Sequence, residues 1–374
     1  MRKLGILGGV AAGLVASAVI VAVGGLARGN VRASTRLVAE DASAPLSRIA
    51  VHYSPANDRA ALPVWHELFS ILPASVHVDV EVTAAPDFDR LLSKLRSART
   101  PDLDRLHMVV VGAPITTWSR DRYAALVDDE GRGSILAPPR VESPFPKRLG
   151  DASSPAAISR AVYGRDPAIS NIVLEGGDLA ATPHWVFADA NLAGRNVGRT
   201  ISDRSTIEAE LHRRLGQDIV WLGDAVGDVP RHHIMMYMMP LDDRTIAVGD
   251  VRAGVKLLAT EPEGADLKLA DSEAEAQRFD RAAVQLAARG FRVVRVPAVV
   301  LEGAGSYVTY TNALFDRRGE QRIVYLPTYA LPALDAAGTA FWEAQGFEVH
   351  PIDVSTIYQL NGSLGCLVNV LQRG

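Results

Sequence analysis

The sequence predicts an α/β chain: one large domain behind a short N-terminal segment of a different kind. Segments with the two-residue period of strands alternate with segments of helical period along most of the chain. At 374 residues with 48% hydrophobic side chains, the chain can bury a large core. Residues Leu4 to Ala27 form an uncharged run, whereas charged and apolar positions are mixed beyond Ser47.

Taken in order, residues 1–33 read as a signal peptide or membrane anchor. Met1-Arg2-Lys3 leads into the apolar run, which as a helix would be about 36 Å long and would cross a bilayer's hydrocarbon core. Val31-Arg32-Ala33 offers a small-residue cleavage pattern. The expectation is an exported protein, secreted, periplasmic or membrane-anchored. Arg28, Arg32 and Arg36 offset Arg2 and Lys3, so flanking charge does not orient the run. Residues 34–46 are small, polar or charged and read as a linker, and residues 47–374 as a single catalytic domain.

Within that domain Arg48 to Tyr53, Val76 to Val82 and Met108 to Val111 read as strands, with helices at Ala60 to Ile71 and Phe88 to Ser97. Residues 129–168 hold six prolines and little apolar period, and read as a long loop or lid. Strands follow at Ile172 to Leu174, Trp185 to Ala188, Ile219 to Leu222, Ile234 to Met239, Thr245 to Val248, Arg292 to Val296, Tyr307 to Leu314, Ile323 to Leu326 and Glu348 to Ile352. Helices are expected at Ser205 to Leu215, Ser272 to Ala288 and Leu334 to Gln345.

Charge and cysteine usage narrow the function. The formal net charge is −4 and Lys and Arg are scattered, so no basic stripe indicates nucleic-acid binding. A single cysteine excludes an intramolecular disulfide framework and a Cys-based zinc cluster. The sequence holds no indication of oligomeric state.

Four short segments contain the chemistry. Thr117-Trp118-Ser119-Arg120-Asp121 follows a strand, and an aromatic wall beside a carboxylate suits a flat cation. Glu175-Gly176-Gly177-Asp178 follows an apolar stretch, and its glycines let the backbone turn sharply or approach a ligand. In Arg231-His232-His233-Ile234-Met235-Met236-Tyr237, strand alternation would aim His233 and Met235 one way and His232 the other. His and Met could hold copper there, although thioethers more commonly pad a core strand. Cys366, after Gly362 and Gly365 and before Leu367-Val368, reads as a thiol presented at the mouth of a buried strand. A lone cysteine usually behaves as a small buried hydrophobe; reactivity requires access and a lowered pKa.

In the order Asp, Glu, His, Cys, these segments resemble the guanidine-modifying pentein superfamily, in particular agmatine deiminases and bacterial-type peptidylarginine deiminases. The resemblance runs from about Ser47 to Arg373, and includes Ser306-Tyr307 to Asn312 and Leu326-Pro327-Thr328-Tyr329. It implies five ββαβ-like modules around a central active site, a hydrolase of linear amidines, and chemistry without metal or cofactor. It further implies Cys366 as nucleophile, His233 as acid and base, Glu175 as the orienter of His233, and Asp121 as the grip on the guanidinium. Trp118, Arg120 and Asp178 are the accompanying substrate-binding candidates, and the substrate would be a small-molecule or peptidyl guanidino compound.

The chain departs from the pattern at two places. Met235 stands where the family has the aspartate of His-x-Asp, and Gly365 where agmatine deiminases have histidine. A thioether accepts hydrogen bonds only weakly, so the guanidinium loses a partner. Two other outcomes are therefore open: amidino transfer on the same scaffold, or a small-molecule binding protein with impaired catalysis.

Overall fold

Residues 35–139, 148, 150–196, 203–303 and 306–374 are described by the computed structural model. The expected leader, residues 1–33, lies outside them. Among the described residues no helix is long and apolar enough to cross a membrane.

The described strands form five sheets in a mixed α/β fold, and one ββαβ unit recurs in each. An antiparallel pair is followed by helix and then by a strand returning parallel, the crossover that joins parallel neighbours. One unit consists of strands Ala124–Asp128 and Gly133–Ala137, helix Ser154–Tyr163 and strand Ala168–Ile169. The next has Ala180–Ala181, Trp185–Asp189, helices Ala190–Asn196 and Arg204–Arg214, and Asp218–Leu222. Then come Met238–Pro240, Thr245–Asp250, helices Val251–Leu258 and Ser272–Ala288, and Arg292–Val300. A fourth has Leu314–Arg318, Gln321–Thr328, helix Pro332–Ala344 and Phe347–Asp353. The fifth joins distant parts of the chain: the last strand, Val368–Arg373, pairs antiparallel with Leu46–Tyr53, and helix Asp58–Ile71 leads to His77–Val82. Cys366 is thereby anchored beside residues more than 300 positions earlier.

Local chemistry explains the elements that were predicted well. Ile49-Ala50-Val51 is an unbroken apolar run because both faces of that strand are buried. Helix Ser272–Ala288 begins where the Asp271 carboxylate accepts the Ala274 N–H at 3.1 Å, satisfying one of the free amides of the first turn.

Five expectations are corrected. The stretch read as a linker is folded: Thr35–Leu37 pairs with Ala124–Asp128, and Arg373 donates to the carbonyls of Ala39 at 2.6 Å and Ala44 at 2.9 Å. The proline-rich stretch read as a loop contains the strand Gly133–Ala137 and the helix Ser154–Tyr163, with Pro155 in the first turn, where proline is tolerated. Ile172 to Leu174 is not a strand, and Tyr307 to Leu314 divides into Tyr307–Thr309 and the start of Leu314–Arg318. The strand expected at Ile234 to Met239 is interrupted. His232 takes φ 73°, Ile234–Met236 forms one 3-10 turn, and the ladder starts at Met238. The Asn191 amide holds that bend by donating to the carbonyls of Pro230 at 2.9 Å and His232 at 3.2 Å.

Candidate active site

Three connections bring the four segments together. The Ser119 hydroxyl lies 3.1 Å from the Ala50 carbonyl and 2.9 Å from that of Leu367, and the Asn369 amide donates to the Tyr123 carbonyl at 3.1 Å. The turn bearing Asp121 is thus fixed to the segment bearing Cys366. Glycine then allows two close approaches. A Cβ on Gly176 would lie 2.3 Å from the Tyr123 carbonyl oxygen, and one on Gly177 would lie 2.4 Å from Cγ and Nδ1 of His233. The Gly-Gly turn therefore touches the Asp121 turn on one side and the imidazole on the other.

At the centre, His233 Nε2–H donates to Glu175 Oε2 at 2.9 Å. Its Nδ1 is 4.0 Å from Asp121 Oδ1, and both atoms are buried without a hydrogen-bond partner. Burial lowers the basicity of His233, but the Cys366 thiol, Glu175 and Asp121 outweigh it and push the imidazole well above its usual range. Burial opposes ionisation of Glu175 too, yet the His233 bond and Arg195 hold it far below an ordinary carboxyl. Asp121 is shifted upward by burial and by the neighbouring charge of Glu175. Cys366 is 3% exposed, its sulfur 3.6 Å from the Asn312 amide nitrogen and 3.9 Å from the Met236 sulfur.

A cavity of about 1310 Å³ opens over this cluster, and Trp118, Asp121, Glu175, His232 and Cys366 are in its wall. Met108, Val110 and Ile169 also line it and are 44%, 47% and 52% exposed.

Asp121, Glu175, His233 and Cys366 thus converge as the sequence suggested, and Trp118 stands at the wall against Gly362. Two substrate-binding candidates do not line the cavity. Arg120 is buried in an ion pair with Glu40 and donates to the Leu179 carbonyl at 3.2 Å. Asp178 accepts the Glu175 N–H at 2.8 Å and the Arg195 Nε–H at 3.1 Å, so it buttresses the turn. Met235 packs at Gly365, its methyl 3.0 Å from where a Cβ there would lie, so the two departures from the family pattern are neighbours in space.

Three residues escaped the sequence reading. His232 was expected to point away, but the bend stacks its ring on His233 at 4.2 Å between centroids. Burial and the charge of His233 pull His232 down to about 3, so it stays neutral. Arg195 bridges Glu175 at 2.8 Å and Asp178. Glu175, Asp178 and His233 could together hold a metal ion, but Arg195 already supplies the cation between the carboxylates and the imidazole is bonded to one of them. Arg148 pairs with Asp121, lies 3.3 Å from Asp151 and 3.9 Å from Glu175. Neither arginine belongs to a recognisable motif; an arginine opposite several carboxylates is visible only in three dimensions.

The fold has counterparts among known proteins. Residues 74–370 match the family model of Porphyromonas-type peptidyl-arginine deiminases, and the chain belongs to that family and to the pentein superfamily. Among solved structures, the chain is similar to the C. jejuni agmatine deiminase, with 17% identity, TM-score 0.65, and coverage of 91% of this chain and 96% of that one. A cysteine-to-serine variant of that enzyme with substrate bound gives 16% identity, TM-score 0.67, and 91% and 97% coverage. The agmatine deiminase of Enterococcus faecalis gives 13%, 0.63, 91% and 96%. No curated protein matches the sequence.

Proposed function

We propose that the chain hydrolyses a guanidino group through a covalent intermediate on Cys366. The observation that supports this most directly is the pair of buried, unpartnered polar atoms, Asp121 Oδ1 and His233 Nδ1, beside the thiol. A guanidinium offers donors to the Asp121 oxygen. The Cys366 thiolate adds to the guanidinium carbon. The His233 Nδ1 proton passes to the departing nitrogen as its C–N bond breaks, leaving an S-linked thiouronium. Neutral His233 then takes a proton from water, the oxygen adds to the same carbon, and the C–S bond breaks to return the thiolate. The sum is guanidinium plus water giving a ureido product and the protonated amine. Glu175 holds the imidazole in orientation and favours its charged form.

A cavity of about 1310 Å³ exceeds the roughly 300–1,000 Å³ of pockets for drug-sized ligands and has room for a body larger than agmatine. Peptidyl-arginine is the favoured substrate on that ground. The five ββαβ units are read as modules of one propeller closed by the pairing of the last strand with Leu46–Tyr53. Residues 1–33 are read as the element that exports or anchors the protein; fractionation and N-terminal sequencing of the mature protein test that.

The decisive assay is release of ammonia and ureido product from agmatine, arginine and arginyl peptides. Turnover should vanish in Cys366→Ala and in His233→Ala, and wild-type rates in both would overturn the mechanism. Added acceptor amines separate hydrolysis from amidino transfer. The binding-protein reading draws on Met235, which leaves the guanidinium one carboxylate short; in that case no variant changes a rate, since none is measurable.

A further inference from the structure

We infer that Arg148 is a resident competitor for the carboxylate that grips the substrate, so a ligand's guanidinium must displace it to engage Asp121 fully. This rests on the guanidino reading of the site. Arg148 presents the functional group expected of the substrate, and its Nη2 donates to Asp121 Oδ2. The other oxygen, Oδ1, is the unpartnered one. While Arg148 stays, an incoming guanidinium can reach one oxygen of Asp121 and cannot form the two-pronged pair that makes such contacts strong. It also meets a like charge at close range.

The arrangement provides a place for Arg148 to go. Its Nε is 3.3 Å from Asp151 Oδ2 and its Nη1 3.9 Å from Glu175 Oε1. Asp151 is fixed by the Thr116 N–H at 2.7 Å and the Thr116 hydroxyl at 2.8 Å. Arg122 donates to the Arg148 carbonyl at 3.3 Å, tethering the backbone. Arg148 can therefore release Asp121 and keep Asp151, which makes the pair a discriminator: a ligand enters only if its own contacts outweigh the Arg148–Asp121 bond.

Two isosteric alkylating probes test this, 2-chloroacetamidine, a cation, and 2-chloroacetamide, which is neutral. Their rates at Cys366 are compared in wild type and Arg148→Gln. The amidine-to-amide ratio should rise at least about tenfold in the variant, the factor equivalent to about 1.4 kcal/mol. An unchanged or lower ratio, or equal acceleration of both probes, would overturn the inference. A second arm needs no reactive thiol: in the Cys366→Ala background, agmatine should bind at least about tenfold more tightly when Arg148→Gln is added, by the same arithmetic. Tighter binding without wild-type alkylation would sink the catalytic reading and leave the competitor standing. Equal affinities would sink the competitor whatever the thiol does.

Discussion

Replacing Gly177 by alanine strikes the centre of the site through a single methyl group. Its Cβ would lie 2.4 Å from two ring atoms of His233, whereas carbon contacts settle near 3.5–4.0 Å, so the imidazole must move by about 1 Å. It has little room to do so. One edge is bonded to Glu175 at 2.9 Å and one face is stacked on His232 at 4.2 Å. Losing the charge-assisted bond costs about 1.5–3 kcal/mol, and overpacking a tight site about 1–3 kcal/mol. Since both draw on the same displacement, the expected destabilisation is about 2–5 kcal/mol. Turnover should fall roughly 10²-fold, the scale of a 1 Å misplacement of a catalytic group. Urea unfolding measures the first quantity, guanidino hydrolysis the second, and NMR titration should show the imidazole falling back toward its ordinary range. A variant with wild-type stability, rate and titration would refute the claim that this turn sets the position of His233.

Two further outcomes are expected. Burial raises Asp189 to about 7 although Tyr237 and Asn191 donate to it. Its folded value lies above its unfolded one, so the native state holds the extra proton and this carboxyl contributes stability that is lost as pH rises through about 7. Between pH 5 and 8 that loss is about 2–3 kcal/mol, and Asp189→Asn should flatten that part of the stability profile; an identical slope in melting scans of the two proteins would refute it. Met235→Asp would place a carboxylate at Gly365 and near Asn312. The expected result is faster hydrolysis of guanidino compounds together with lower stability from burying an acid, and a folded variant with an unchanged or lower rate would count against that role for position 235.

Periodicity was most informative where local pattern and tertiary environment agree. Helix Ser272–Ala288 was predicted to the residue, because its cap, apolar stripe and length all lie within the segment. Short edge strands such as Ala180–Ala181 leave almost no period to detect. The 129–168 stretch failed because Pro155 occupies a first helical turn, and Pro138, Pro139 and Pro167 lie between elements. The bend at His232 was hidden for another reason: it depends on Asn191, some forty positions earlier, whose amide gives the turn its hydrogen bonds.

The sequence alone determined the α/β class and five of the described helices, and its resemblance to a family singled out Asp121, Glu175, His233 and Cys366, each in a short motif. Tertiary structure decided which neighbours act on them: Arg195 against Glu175, Arg148 against Asp121, His232 on His233, and Arg120 turned away to Glu40. Ion pairing and stacking operate over a few ångströms of space, and residues as distant along the chain as Glu40 and Arg120 acquire that proximity only when the sheets assemble.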